Sequence, residues 1–320
     1  MSRHYSGRVF YANGQALANV RVTIFEKDIG NDDDDLTVVA GTSDADGRFS
    51  VEYDPDRNLD FADIYLPYLR FDYEVNGRHK IHHAFIQPFT KEYKLPDLPP
   101  TNFIPAEDGF QFINSFPGFW IPYSIPSIPD IPSADNYYGL CGGMIASAYD
   151  FLLAGRPIPK RTKRPGRASA LHQYLHQRQV DSLGVFGKQV VRFARWMALP
   201  DEAVQKRTFK EFAKLKKMLD QGNPNPIGLV YVSTNDTYEI WKNHQVLACG
   251  YNENGNDISI QIYDPNFRKK NNVAIICQKQ GNSRLTSQQR INRVRTKPVR
   301  GWFVMPYTPV VPPANLTIDS

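Results

Sequence analysis

At 320 residues, 41% hydrophobic and 12% aromatic, the chain has the composition of a folded globular protein, which excludes a disordered polymer, and a length that favours two domains over one. Three cysteines exclude a disulfide framework, and no apolar run reaches the roughly 18 residues that span a bilayer. The net charge of +5 is uneven: residues 1–100 hold 11 basic against 17 acidic side chains and residues 101–320 hold 27 against 16, so the second half is the basic one, read first as a solvated face and otherwise as a surface for acidic partners.

The first hundred residues read as short strands between turns. Gly7 to Tyr11 leads to Asn13-Gly14, a tight-turn dipeptide, and Val20 to Phe25 alternates with period two. After Val38 to Thr42, the turn Asp44-Ala45-Asp46-Gly47 opens a second alternating run, Arg48 to Tyr53. This spacing indicates an all-β sandwich over residues 1–95. The four carboxylates Asp32 to Asp35 lack the alternation and glycine of a calcium loop and read as a solvated hairpin tip. His82 and His83, adjacent on a strand, point to opposite faces, so no metal site is assigned.

The pattern Gly7-x-Val9, Ala16-Leu17-Ala18-Asn19-Val20-x-Val22 and Thr42-x-Asp44-x-Asp46-Gly47-x-Phe49 resembles the transthyretin-like sandwich that also serves as a carboxypeptidase regulatory domain. That resemblance implies an accessory module that binds or positions a protein partner, without catalytic residues of its own.

Ten prolines between Pro88 and Pro132 mark an extended connector over residues 96–134. Phe110, Phe112, Phe116, Phe119 and Trp120 lie within it. Each gains about 1.5–3 kcal/mol on full burial, so the connector is expected to pack on the second domain.

From Gly139 the period becomes helical. Met144, Ile145, Ala148, Phe151 and Leu152 form one stripe that stops at Gly155 and Pro157. Further helices are expected over 168–180 and 186–198. A fourth is expected to start at Thr208-Phe209-Lys210-Glu211, read as a capping box. Strands follow at 227–232, 244–251, 257–263, 273–277 and 301–305, with Asn254-Gly255 as a hairpin turn. Helices followed by an antiparallel sheet define an α+β domain over 135–307, with a tail at 308–320. Six basic residues within 156–167 are broken by prolines and carry no interleaved aromatics, so no nucleic-acid partner is expected.

The chemistry concentrates in three places. Cys141 opens the first helix, where unpaired amides and the macrodipole favour a thiolate. Gly142 and Gly143 leave the sulfur unshielded, and the Cys141 amide is a candidate oxyanion donor. His244 and Asp264 lie on the two strands of one hairpin, and a turn centred near Asn254 sets them directly opposite each other. Cys249 and Cys277 sit in apolar runs and read as buried structural thiols.

These segments resemble the papain-like cysteine peptidase superfamily, and within it the bacterial peptidases that process double-glycine leaders. The resemblance implies a papain-like fold for 135–307, with Cys141 as nucleophile, His244 as general base and then acid, and Asp264 fixing the histidine tautomer. Asn266 is the fallback orienter. The superfamily's oxyanion glutamine, six residues before the cysteine, is replaced by Asp135, so Asn136 becomes the candidate donor.

The function expected is a two-domain cysteine hydrolase that cleaves a peptide or amide bond in a peptide or protein substrate, without a cofactor. Three alternatives stay open: a deamidase or transglutaminase-type acyl transferase, a non-catalytic interaction protein on the same scaffold, and a bacterial toxin or effector. The start Met1 to Tyr5 lacks a secretory apolar region. A cytoplasmic protein, or one exported without a cleavable signal peptide, is therefore expected.

Overall fold

The computed structural model describes residues 2–12, 14–27, 33–57, 66–75, 78–86, 91–97, 101–117, 137–184, 187–292 and 295–317. The chain is mostly β with helices, and it divides into two compact units, Met1–Pro100 and Thr101–Ser320. Each is described by itself.

The described residues of the first unit hold strands β1 (Arg3–Phe10), β2 (Arg21–Glu26), β3 (Asp34–Asp35), β4 (Thr37–Val39), β5 (Gly41–Thr42), β6 (Arg48–Tyr53), β7 (Pro67–Val75), β8 (Arg78–Phe85) and β9 (Glu92–Lys94). One sheet runs β4-β6-β1-β9 and another β3-β2-β7-β8, with β5 joined to β2. Val9, Phe49, Val51 and Tyr93 of the first sheet share a core with Val22, Ile24, Leu69 and Phe71 of the second. Period-two alternation supplies those inward faces. The turn before β6 forms because Asp44 Oδ1 accepts from the amides of Asp46 and Arg48, while Gly47 takes φ +75°. In the acidic run, Asp33 pairs with Lys27 and accepts from the Tyr68 hydroxyl.

The second unit begins with an arm that holds α1 (Pro105–Asp108) and β10 (Phe116–Pro117), the latter paired with β11 (Tyr137–Tyr138). Phe103, Phe110, Phe112 and Phe116 are buried. Phe119 and Trp120 lie outside the described residues. Phe110 meets Phe151 edge to face and donates its amide to Tyr263 Oη at 3.0 Å. The described phenylalanines of the arm thus become core of this unit.

Four helices follow: α2 (Cys141–Leu153), α3 (Ala170–Leu183), α4 (Lys188–Met197) and α5 (Asp201–Leu219). Then come β12 (Asn225–Val230), β13 (His244–Asn254), β14 (Asp257–Tyr263), β15 (Ala274–Gln280), β16 (Arg284–Arg290), β17 (Thr296–Val299) and β18 (Gly301–Val304), in one antiparallel sheet ordered β17-β16-β15-β14-β13-β12-β18. Phe212 and Leu215 of α5 close one core with Ile227, Val246, Ile260, Ile275 and Trp302. Phe193, Trp196 and Met197 of α4 close another with Val230 and Phe303.

Helix α5 starts at Asp201, after Pro200, so Thr208 and Glu211 do not form the expected cap. Both are buried inside the helix. Thr208 Oγ1 donates to Val204 O and accepts from Trp302 N–H, and Glu211 Oε2 accepts from Val304 N–H at 2.9 Å. The two polar residues fasten the helix to β18 instead.

The basic residues of 156–167 also act as fasteners. Arg156 donates to the carbonyls of Pro312, Pro313 and Ala314 in the tail, Lys160 to Glu107 O, and Arg164 to Ser115 O. Three of the six cations thereby hold the arm and the tail.

Candidate active site

Nearly all of α2 is buried, and Cys141 sits at its first position, half-buried. No acidic residue occupies the first turn, so nothing there neutralises the positive end of the helix. The orphan amides of that turn are shared out among side chains. Leu140 N–H goes to Asn114 Oδ1 at 2.7 Å and Gly143 N–H to Gln179 Oε1 at 3.0 Å.

The two glycines after the cysteine have a packing reason beyond leaving the sulfur open. A Cβ on Gly143 would overlap the Leu175 carbonyl of α3, and one on Gly142 would overlap Gln245 Oε1 and Ser182 Oγ. They let α2 lie directly against α3 and β13. Gln245 Oε1 has no hydrogen-bond donor among the described residues and rests against the Gly142 backbone.

His244 and Asp264 meet, but not as directly opposed residues. The hairpin turns at Gly255 and Asn256, with Asn254 paired to Asp257, and this register would place His244 and Asp264 on opposite faces of the sheet. A bulge at Cys249 changes it: Gly250 pairs with Gln261, yet Ala248 pairs with Ile262 and Leu247 with Tyr263. One extra residue reverses the side-chain parity beyond it. His244 and the residue just past β14 then share a face and meet diagonally.

His244 Nε2 donates to Asp264 Oδ1 at 2.8 Å. The carboxylate also accepts the Asn266 amide at 2.9 Å on Oδ1 and Gln289 Nε2 at 2.6 Å on Oδ2. Asp264 is 2% exposed, so these three donors replace the water it has lost. Burial raises the Asp264 pKa, but the His244 charge and the three donors outweigh it and hold the group below its ordinary value. Burial likewise opposes charge on His244, and the negative charges of Asp264 and Cys141, with hydrogen bonds to both, overcome it and raise the ring to about 10. With Nε2 committed to Asp264, Nδ1 is the nitrogen left for the sulfur.

Cys141, His244 and Asp264 are therefore brought together. Asn266 lies at the rim, its Nδ2 3.2 Å from His244 Nε2, while its Oδ1 accepts from Asn114 Nδ2 at 3.1 Å. It supports Asp264 through its backbone and does not take the orienting place. Asn136 and Asp135 lie outside the described residues. Cys277 is buried, as expected, whereas Cys249 is half-buried at the bulge, its Sγ donating to Leu247 O at 3.5 Å; desolvation pushes the Cys249 and Cys277 thiols up to about 12 and about 11.

Three contributors escape a reading by motif. Gln289 is on β16, whose sequence Arg-Leu-Thr-Ser-Gln-Gln-Arg carries a single apolar residue. The signal available is only the inward alternation of Leu285, Ser287 and Gln289. Tyr231, just after β12, donates to Gln289 Oε1 at 2.8 Å. Asn114 sits in the arm, 27 residues before the cysteine it supports.

No family model and no curated protein matches the chain. Among solved structures, a 9R-lipoxygenase from Cyanothece PCC8801 aligns at 12% identity and a TM-score of 0.23, over 95% of this chain. The chain spans 42% of that protein's length. At that TM-score the likeness carries no argument about fold or activity.

Proposed function

We propose that the second unit is a cysteine hydrolase that opens a peptide or amide bond through an acyl-enzyme thioester, on a papain-like α+β scaffold. The observation that carries this reading is the Nε2 bond of His244 to a buried, three-donor Asp264, with the same ring coupled to Cys141 at the start of α2. A surface histidine has no need of such a second shell. The chain order of cysteine on a helix, histidine on a strand and acid after the next strand adds to it.

In the forward step, Cys141 Sγ, its proton already held by the His244 ring, attacks the carbonyl carbon. The oxyanion forms beside the helix start, where the Cys141 amide donates to it. His244 then gives the proton to the departing amine, and the C–N bond breaks to leave a thioester. Water attacks that thioester, His244 accepts its proton, and the C–S bond breaks to return the thiol and release a carboxylic acid. Asp264 stays ionised throughout and holds the ring's Nε2–H. An amine in place of the water gives acyl transfer with the same groups. The first unit, read as a transthyretin-like sandwich, then serves to bind a protein partner.

The test uses p-nitrophenyl acetate on the full chain. The expected result is a burst of about one equivalent of p-nitrophenolate per chain, with one acetyl group on Cys141. Cys141→Ala abolishes it, and added amines intercept the acetyl group if transfer competes with hydrolysis. Absence of a burst from the unsubstituted protein, or a burst that survives Cys141→Ala, overturns the reading.

A further inference from the structure

Tyr231 follows β12 and stands beside the residues that hold Asp264. Its amide donates to Asn243 Oδ1 at 2.9 Å, next to His244, and its hydroxyl donates to Gln289 Oε1 at 2.8 Å. The Lys297 ammonium rests 3.5 Å from the centre of its ring, a cation–π contact. The ring is therefore held at its backbone, its face and its hydroxyl.

A primary amide presents either its oxygen or its nitrogen to a neighbour, with opposite consequences. Gln289 is 2% exposed, between the Tyr231 hydroxyl and Asp264 Oδ2. Asp264 Oδ2 only accepts, so it takes the Gln289 nitrogen and turns the oxygen toward Tyr231, whose hydroxyl donates to that oxygen and holds the amide in place. A reversed amide would set oxygen against oxygen beside a buried anion. The hydroxyl is kept protonated by burial and by the charges of Asp264 and Cys141, which all raise its pKa.

We infer that Tyr231 is a positioning residue: its hydroxyl anchors the Gln289 amide that holds Asp264, and so fixes the His244 ring toward Cys141. The charged and titratable groups facing this chain are Cys141 from α2, His244 from β13, Asp264 after β14 and Lys297 from β17. The inference rests on the proposed cysteine chemistry for its meaning, but its geometry can be read without turnover.

The test compares Tyr231→Phe, Gln289→Leu and the double variant in the full chain. One readout is the alkylation rate of Cys141 by iodoacetamide as a function of pH, and the other is the downfield proton resonance of His244 Nε2. Tyr231→Phe keeps the ring and its packing, so thermal stability should change little. The expected result is a rate lower by about tenfold in each single variant, no further loss in the double, and a displaced or exchange-broadened Nε2 proton in all three. Losses that multiply in the double variant, or an unchanged Nε2 proton in Tyr231→Phe, overturn the inference. If the unsubstituted Cys141 reacts no faster than a simple thiol but the Nε2 proton still responds to Tyr231→Phe, the cysteine chemistry fails and the positioning role stands.

Discussion

Iodoacetamide at neutral pH should modify one cysteine of the three, Cys141, and leave Cys249 and Cys277 intact. Alkylation proceeds through the thiolate, and the other two thiols, pushed up to about 12 and about 11, hold on the order of one part in 10⁴ or less as thiolate at pH 7. Burial hinders Cys277 further. Cys141 is half-buried at a positive helix end and is coupled to the His244 ring. His244→Ala removes the cation beside the sulfur and should slow modification by roughly 10²-fold. Peptide mapping of the labelled protein checks both statements, and equal, slow labelling of all three cysteines in the unsubstituted chain would contradict them.

The second large effect concerns stability, because the helix that presents Cys141 is held by a buried ion pair. Asp150, 1% exposed, accepts from Arg178 Nε at 2.7 Å, Tyr174 Oη at 2.8 Å, Tyr307 Oη at 2.6 Å and the Val310 amide at 3.0 Å. Those donors come from α3 and from the segment after β18, so one carboxylate ties two other parts of the unit to α2. Burial raises the pKa of Asp150 even against Arg178. Replacing Arg178 by Met leaves a buried carboxylate without its cation, which costs about 3–5 kcal/mol. In a unit of this size that is a fall of roughly 6–20 °C in the melting temperature, readable by circular dichroism. The pair Asp150→Leu with Arg178→Met should recover much of the loss, because no buried charge remains.

These two results depend on features of very different legibility. The stripe from Met144 to Leu152 and the strand pair around Asn254-Gly255 are visible because hydrophobic periodicity survives burial of one face. Helix α2 and strands β13 and β14 accordingly lie where the pattern places them. The pairing of His244 with Asp264 is less legible. A symmetric hairpin sets them opposite each other, whereas the true turn and the bulge at Cys249 set them diagonally. A bulge leaves no mark in a run such as Val-Leu-Ala-Cys-Gly-Tyr, since the extra residue is as apolar as its neighbours.

The residues that hold Asp264 and the start of α2 are the part that composition conceals. Gln289 and Tyr231 act only because a polar strand folds back beside β15, and Asn114 because an aromatic arm docks ahead of α2. Their partners are 25 or more residues away in the chain, beyond any local spacing rule. Thr208 and Glu211 show the converse. Their local pattern matches a cap, but burial against β18 gives the same two side chains tertiary partners. Local polar patterns name a cap only where the helix end is exposed.

The pH dependence follows from the same electrostatics. His244, raised to about 10 from an ordinary 6.5, contributes stability that is fully present below 6.5 and is lost as pH rises through about 10. The central claim is that Cys141, His244 and Asp264 form one electrostatic unit, and the titration of the His244 ring by NMR tests it most directly. The expected midpoint lies near 10 in the unsubstituted chain and falls in both Asp264→Asn and Cys141→Ala. A midpoint near 6.5, indifferent to Cys141→Ala, would contradict the account.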